Sequence, residues 1–428
     1  MADSHSPVIV ITRRSWISLI GVLLVQAQNA FNDNFLKFTL ISLAAVVARG
    51  TTLGKLAPHL LSALIPIPFI LFAPIAGYLS DRFAKSRVIF WCVIAQLGIF
   101  GMVILSFYLN YLPLGIVAFF LLSVQSTAFS PAKQGILKEL VGSIRLATAN
   151  GLMQMLTMIG ILAGIWVGGN WFGTLLRNGS NPWSASMIPT LSITAIALIP
   201  ISVRWIIQRT PEQSSEPFKK SIMFQHFHDL KELLSDPVLL RTVTGISYYW
   251  LVAFFIGVVI VNFGIAIHPD TSTGEAAKET SNIGLVIGIG MILGSVLVSF
   301  VSRKGINLKL VPIGGLGLTS GLLGAGLFSP GGLAFLISMS LIGFCGGFFL
   351  IPLTSFLQDR VEEETRGRMI SAMALMTSLS GVLALGIGAV LTKCEIQAAK
   401  QVLVFVIPTL LITFLAMRLV RFSKTQEG

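Results

Sequence analysis

Apolar stretches long enough to cross a bilayer recur from one end of this chain to the other, broken only by short polar connections. A hydrocarbon layer about 30 Å thick takes about 20 residues of helix at 1.5 Å each. Within lipid a backbone finds no water to bond, so each stretch must satisfy its own N–H and C=O groups as a helix. Twelve helices are predicted, over 16–46, 57–79, 88–108, 113–136, 146–170, 186–206, 242–266, 282–301, 309–328, 332–356, 368–391 and 401–420. Charged residues make up 11% of the 428, against about 25% in a soluble domain, too few to cover a soluble fold of this size. A secreted disulfide scaffold, a disordered chain and most soluble enzymes are excluded. The first stretch is not a cleavable signal, because Asn29, Asn32, Asp33 and Asn34 interrupt its apolar run.

The basic excess, 30 Lys and Arg against 18 Asp and Glu, reports orientation. With both termini in the cytoplasm, the basic residues of the outer loops are Arg49, Lys55, Arg177, Lys278, Lys393 and Lys400, and Lys37 lies within a span. The rest fall on the inner side, as the positive-inside rule requires. No nucleic-acid motif accompanies the charge, so nucleic acid is not an expected partner.

The longest polar connection, with Pro211, Glu212, Glu216, Lys219, Lys220 and an amphipathic run from Phe224 to Leu234, reads as a tether carrying an interfacial helix. It divides the chain into 1–207, a linker 208–240, and 241–428, each flanking part a bundle of six helices. The halves match at an offset of 221 residues: Pro131 with Pro352, Arg82 with Arg303, Ala84 with Gly305 and Gly160 with Gly381. Parallel six-helix repeats of this kind place a substrate path between the halves near the midplane.

Three motifs carry chemistry. After the second helix stands Gly77-Tyr-Leu-Ser-Asp81-Arg82-Phe-Ala-Lys85-Ser-Arg87. It reads as a latch in which Asp81 caps or pairs near a helix end of its own half while the cations meet acidic groups across the gap. Glu139, Arg303, Asp359 and Arg360 at neighbouring helix ends complete the candidate latch. In the first span, Asn29, Asn32, Asp33, Asn34 and Lys37 lie at membrane depth, where ionisable groups are functional candidates by default. Asp33 and Lys37, four apart, share a helix face and could neutralise each other; the other reading has the carboxylate and amides lining a cavity for a polar headgroup. In the fourth and fifth spans, Ser130-Pro131-Ala132-Lys133 and Asn150 to Gln154 follow. Pro131 frees a carbonyl and turns Lys133 toward the cavity, with snorkelling to the inner interface as the alternative. Asp33 lies about 25 Å along the first helix from its inner end, so Asp33 and Lys133 read as two poles of one path. Asn29, Asn32, Asp33, Asn34, Lys37, Lys133, Asn150 and Gln154 are the candidate path residues.

The loop after the second helix resembles the signature of the major facilitator superfamily. Ala30-Phe-Asn-Asp-Asn34, Leu71-Phe-Ala-Pro74, Ser130-Pro-Ala-Lys133, Ala149-Asn-Gly-Leu152, Gly346-Gly-Phe-Phe349 and Pro352 to Gln358 resemble its lysophospholipid transporter family. The resemblance spans helices one to eleven. It implies an all-α fold of twelve transmembrane helices in two pseudo-symmetric six-helix bundles. It also implies a monomer in a bacterial inner membrane that moves lysophosphatidylethanolamine and lysophosphatidylglycerol from the outer to the inner leaflet for re-acylation. Asp33 and Lys133 carry over as path residues. The middle of the seventh helix lacks a cation that some relatives have, Arg241 sitting at its foot, and Lys37 substitutes for it in this reading. The chain stops after helix twelve, so the acyltransferase is expected to be a separate partner protein. A proton-coupled transporter of a small polar solute or drug, with Asp33 as the proton site, is the alternative, and a non-transporting membrane partner of a lipid enzyme is a third.

No enzyme is expected. The five His residues lie in tails or loops, and Cys92, Cys345 and Cys394 are scattered without metal spacing or a disulfide framework. Gly160/Gly164/Gly168, Gly284/Gly288 and Gly290/Gly294 read as helix contacts, with no strand before them to make a nucleotide loop. No cofactor or metal is expected.

Overall fold

The structure, a computed structural model, describes residues 12–215, 217, 222–267 and 273–425. His5, His268, Glu216, Lys219 and Lys220 lie outside them, as does the side chain of Phe224. The described residues are almost wholly helical and contain no strand. The helices are α1 (Arg13–Val47), α2 (Thr52–Ala63), α3 (Pro66–Arg82), α4 (Lys85–Tyr108), α5 (Leu112–Arg177), α6 (Pro182–Ile196), α7 (Val203–Ile206) and α8 (Ile222–Ser235). There follow α9 (Pro237–Ile267), α10 (Thr273–Val301), α11 (Leu310–Leu327), α12 (Leu333–Arg360), α13 (Arg366–Lys393), α14 (Ala398–Leu403) and α15 (Val406–Thr425). Among the described residues eleven stretches are long and apolar enough to span a membrane. One of these, the 66-residue α5, runs about 100 Å at 1.5 Å per residue, enough for two crossings. The chain therefore makes twelve, six before the linker and six after it.

Expected and observed elements differ in informative ways. The second span is two helices, α2 and α3, separated where Pro66 and Pro68 follow Leu64 and Ile65 and interrupt the donor ladder. The fourth and fifth spans join without a loop. Their junction is Gly142, at φ 61° and ψ −179°, a left-handed conformation that glycine adopts without a Cβ penalty. Pro131 lies inside the 112–141 arm, and the only non-helical backbone recorded in α5 is that of Gly142.

Small residues set the packing inside each half. Gly160, Gly164 and Gly168, on one face of the 143–177 arm, lie against the backbone of Ala27, Phe31 and Phe35 of α1. The two four-residue rows interlock, and a Cβ on Gly168 would stand 2.7 Å from the Phe35 carbonyl oxygen. In the second half Gly290 and Gly294 meet the carbonyls of Ser340 and Phe344 in the same manner. Lipid tails are as apolar as the helix faces, so close backbone approach of this kind supplies the association energy. The halves meet along two seams, α3 on α13 and the 143–177 arm on α10. The start of α1 and the linker lie on one face of the bundle, called the linker face below, where Ser18 Oγ accepts from the Gln208 N–H. The expected linker helix is present as α8, which packs on both α3 and α13.

Candidate functional site

A cavity of about 320 Å³ opens between the halves. Its first-half wall comes from α1, α3 and both arms of α5, and its second-half wall from α9, α12 and α13. The cation and the amides stand on the first half. Lys133, two residues past Pro131, donates from Nζ to Gln26 Oε1 at 2.8 Å, and Gln26 Nε2 donates to Thr157 Oγ1 at 2.9 Å. Among the described residues no carboxylate pairs with Lys133. An ammonium carries three donors, so a ligand reaching this wall meets a cation whose recorded hydrogen bond is to a neutral amide. Gln134, Asn150 and Gln154 line the same side. Opposite them stand Ile246, Trp250, Phe254, Leu350 and Met373, a largely apolar wall that also carries the hydroxyls of Thr354, Thr377 and Ser378.

The cavity ends toward the linker face at a polar seam. Asn150 Nδ2 donates to Gln358 Oε1 at 2.8 Å and to Ser355 Oγ at 3.0 Å, and Gln358 Nε2 donates to Gln134 Oε1 at 3.3 Å. Gln358 is fully buried, so these neutral bonds join the two halves without water.

The candidate path residues of α1 stand elsewhere. Asn29 and Asp33 face the interior of the first half, where Asn29 Nδ2 donates to Asp33 Oδ2 at 3.1 Å and to Ser126 Oγ at 3.1 Å. Ser126 Oγ donates to Asp33 Oδ2 at 2.9 Å, while Gln96 and Gln125 donate to Asn29 Oδ1 at 3.2 and 3.4 Å. Asn32 is fully buried, and Asn34 Nδ2 donates to the Ala30 carbonyl at 2.8 Å. Two expectations are corrected here. No Asp33–Lys37 ion pair forms among the described residues: Asn29 and Ser126 donate to Asp33 Oδ2, and Lys37 Nζ lies 5.8 Å from the centroid of the Phe38 ring. Lys37, Asn29, Asn32, Asp33 and Asn34 are not among the cavity's lining residues, whereas Lys133, Asn150 and Gln154 are. Lys133 does not snorkel, since Gln26 holds it inside.

At the linker face Asp81 departs from its expected role. Its carboxylate accepts the backbone N–H of Gly367 at 2.7 Å and of Arg368 at 2.9 Å, capping α13 in the other half rather than an end in its own. Gly77 permits this approach, because a Cβ there would lie 2.8 Å from Arg368 Cα. Ser371 Oγ adds a bond to the Ala73 carbonyl. Lys85, fully buried, pairs with Glu139 at 2.6 Å within the first half, Arg87 with Glu212 of the linker at 3.4 Å, and Arg360 with Asp236 at 3.0 Å. Arg82 donates to the Ser214 carbonyl at 3.3 Å. Among the described residues the ion pair that crosses is Lys138 with Asp359 at 2.9 Å. Arg303 is corrected: it is exposed, rests on the Phe300 ring at 3.6 Å and makes no ion pair among the described residues.

Several of these groups escaped the sequence reading. Gln26 lies three and seven residues before Asn29 and Asp33, a helical spacing that could have found it. Gln96, Ser126, Thr157 and Gln358 sit on other helices and left no local signal.

A family model for the major facilitator superfamily matches residues 22–385. The lysophospholipid transporter LplT of Serratia proteamaculans is 27% identical over 387 residues, covering 88% of this chain and 89% of that protein. The LplT of Yersinia pestis (strain Pestoides F) is 27% identical over 384 residues, covering 88% and 87%. Among solved structures, the human organic anion transporter MFSD10 superposes with a TM-score of 0.75 at 12% identity, covering 94% of this chain and 99% of its own. The two six-helix halves, the signature loop on their seam and the match over most of the sequence agree: the chain belongs to the major facilitator superfamily, with proteins named lysophospholipid transporter LplT among its relatives.

Proposed function

We propose that this protein moves lysophospholipids, such as lysophosphatidylethanolamine and lysophosphatidylglycerol, from the outer to the inner leaflet of a bacterial inner membrane. The linker face and both termini are cytoplasmic in this reading, as the basic residues require. The protein works as a monomer and delivers its cargo to a separate acyltransferase.

The observation that carries the reading is the two-sided cavity. Lys133 with Gln26, Gln134, Asn150 and Gln154 offers a cation and amides to a phosphate-bearing headgroup, and Trp250, Phe254, Ile246 and Leu350 offer an apolar wall to one acyl chain. A small polar solute would leave that wall uncompensated, because apolar surface binds by leaving water. The relatives named for lysophospholipid transport support the same substrate class.

The test is uptake of labelled lysophosphatidylethanolamine into vesicles holding the purified protein. Uptake above that of protein-free vesicles is expected, with Lys133→Ala lowering it about tenfold or more, the loss of one charged contact. Equal uptake by empty and loaded vesicles, in either orientation, sinks the assignment.

A further inference from the structure

Asn29, Asn32 and Asp33 occupy positions i, i+3 and i+4 of α1 and share one helix face. The Asp33 carboxylate is engaged on one side only. Its Oδ2 accepts from Asn29 and Ser126, while Oδ1 is shielded from water and has no donor. Asn32 is 0% exposed, and neither its Oδ1 nor its Nδ2 has a partner. Buried polar groups are bonded as a rule, and each exception calls for a missing partner. The bonds from Gln96 and Gln125 to Asn29 hold the rest of the cluster in place.

Lys133 acts on the Asp33 carboxylate through space, but no bond joins the two among the described residues. Lys133 donates its hydrogen bond to Gln26, and Lys37 has no carboxylate partner among the described residues. Neither cation occupies Asp33 Oδ1, so a positive partner that bonds to oxygen fits there. Oxygen donors without sulfur or imidazole suit hard cations. A single carboxylate balances one unit of charge, whereas calcium sites gather several carboxylates and carbonyls.

We propose that Asp33 and Asn32, with the Ser126 hydroxyl, form a binding site for a monovalent metal cation of sodium's kind. Asp33 Oδ1 and Asn32 Oδ1 are its unoccupied donors, and Ser126 Oγ turns a lone pair to the ion while its O–H still donates to Asp33 Oδ2. The site lies inside the first half, apart from the cavity, and α1 connects the two: Gln26, two turns before Asp33, holds Lys133 at the cavity wall. An ion that fixes this stretch of α1 also fixes the cation that meets the substrate. Sodium then couples to transport by setting how α1 presents Gln26, whichever substrate the cavity takes.

The test uses the full chain in lipid nanodiscs and reads the thermal unfolding midpoint while sodium chloride replaces choline chloride at constant ionic strength. A saturable rise with sodium is expected, since an ion that binds only the folded chain stabilises it. Asp33→Asn abolishes the rise, and Asn32→Ala or Ser126→Ala raises the half-saturating sodium concentration about tenfold, the equivalent of one lost contact. Should Asn32→Ala fail to fold, Ser126→Ala carries the comparison. Equal midpoints in sodium and choline, or a sodium effect that survives Asp33→Asn, overturn the proposal. A midpoint that follows pH through Asp33 but ignores sodium assigns a proton instead and also overturns it. The readout is binding, so its failure leaves lipid uptake untouched, and a failure of uptake leaves the sodium site standing.

Discussion

Asp81 joins three segments with one residue. Its carboxylate caps α13, its backbone carbonyl accepts from the N–H groups of Gln213 and Ser214 in the linker, and its helix carries Gly77, which lets α13 approach. A carboxylate at a helix start satisfies orphan N–H groups and complements the positive end of the helix dipole. Replacing a capping side chain by alanine costs about 0.5–2 kcal/mol, and here the cost falls only on the state in which the linker face is closed. Asp81→Ala is therefore expected to raise the open fraction about two- to thirtyfold. Thiol labelling at Ser371→Cys, a position that bonds to Ala73 across the same seam, checks it; an unchanged labelling rate would contradict the cap's role. The sequence placed Asp81 in a latch, since an acid and cations at that spacing mark one. It could not show the partner, because the donors are backbone N–H groups, one of them 286 residues away, and a backbone amide has no side-chain signature. A related limit applies to Lys37, whose spacing from Asp33 is that of a pair although the recorded donors to the carboxylate are Asn29 of the same helix and Ser126 of α5.

At the scale of elements, apolar length and Gly spacing made the helices and their closest contacts legible, whereas the Gly142 bend was not, because a glycine among helix formers reads equally as a contact. The linker helix α8 was legible through its amphipathic run, and its docking across α3 and α13 came only with the structure. That docking buries Asp229, which is 3% exposed with Oδ1 unpartnered. Burial lifts its pKa from 3.8 to about 6, with Arg368 and His228 opposing the rise and Glu232 adding to it. The sign follows from linkage. A carboxyl whose pKa is higher when docked binds more protons docked, so its contribution is complete below pH 3.8 and is lost as pH climbs to about 6. Protection of the α8 amides from hydrogen exchange, corrected for intrinsic rates, is expected to fall across that window and to level off above it. Asp229→Asn, which cannot ionise, keeps the acid-side protection throughout; a wild-type profile flat across the window would show that the docked and free helix titrate alike.

For the whole molecule, the bonds recorded between the halves at their ends gather on the linker face: Asp81 to the start of α13, Asn150 to Gln358, and Lys138 to Asp359. Charge pairs at such a junction weigh one global arrangement against another, because they exist in one state and are broken in the other. Lys138 and Asp359 meet at 2.9 Å with 15% and 31% of their side chains exposed, and Lys138 Nζ also reaches the Asp359 carbonyl at 2.5 Å. Exposed pairs contribute about 0.2–1 kcal/mol, and this half-buried one with its second bond belongs at the upper end. Lys138→Glu places two carboxylates at the contact and turns attraction into repulsion, so the linker face opens more often. Adding Asp359→Lys restores an ion pair of reversed sense, though the bond from Lys138 to the backbone carbonyl is not regained. Distances between spin labels on the two halves at the linker face are expected to lengthen in the single variant and to return most of the way in the double one. A double variant as open as the single would mean that the pair does not couple the halves, leaving their closure to Asp81 and the Asn150–Gln358 seam.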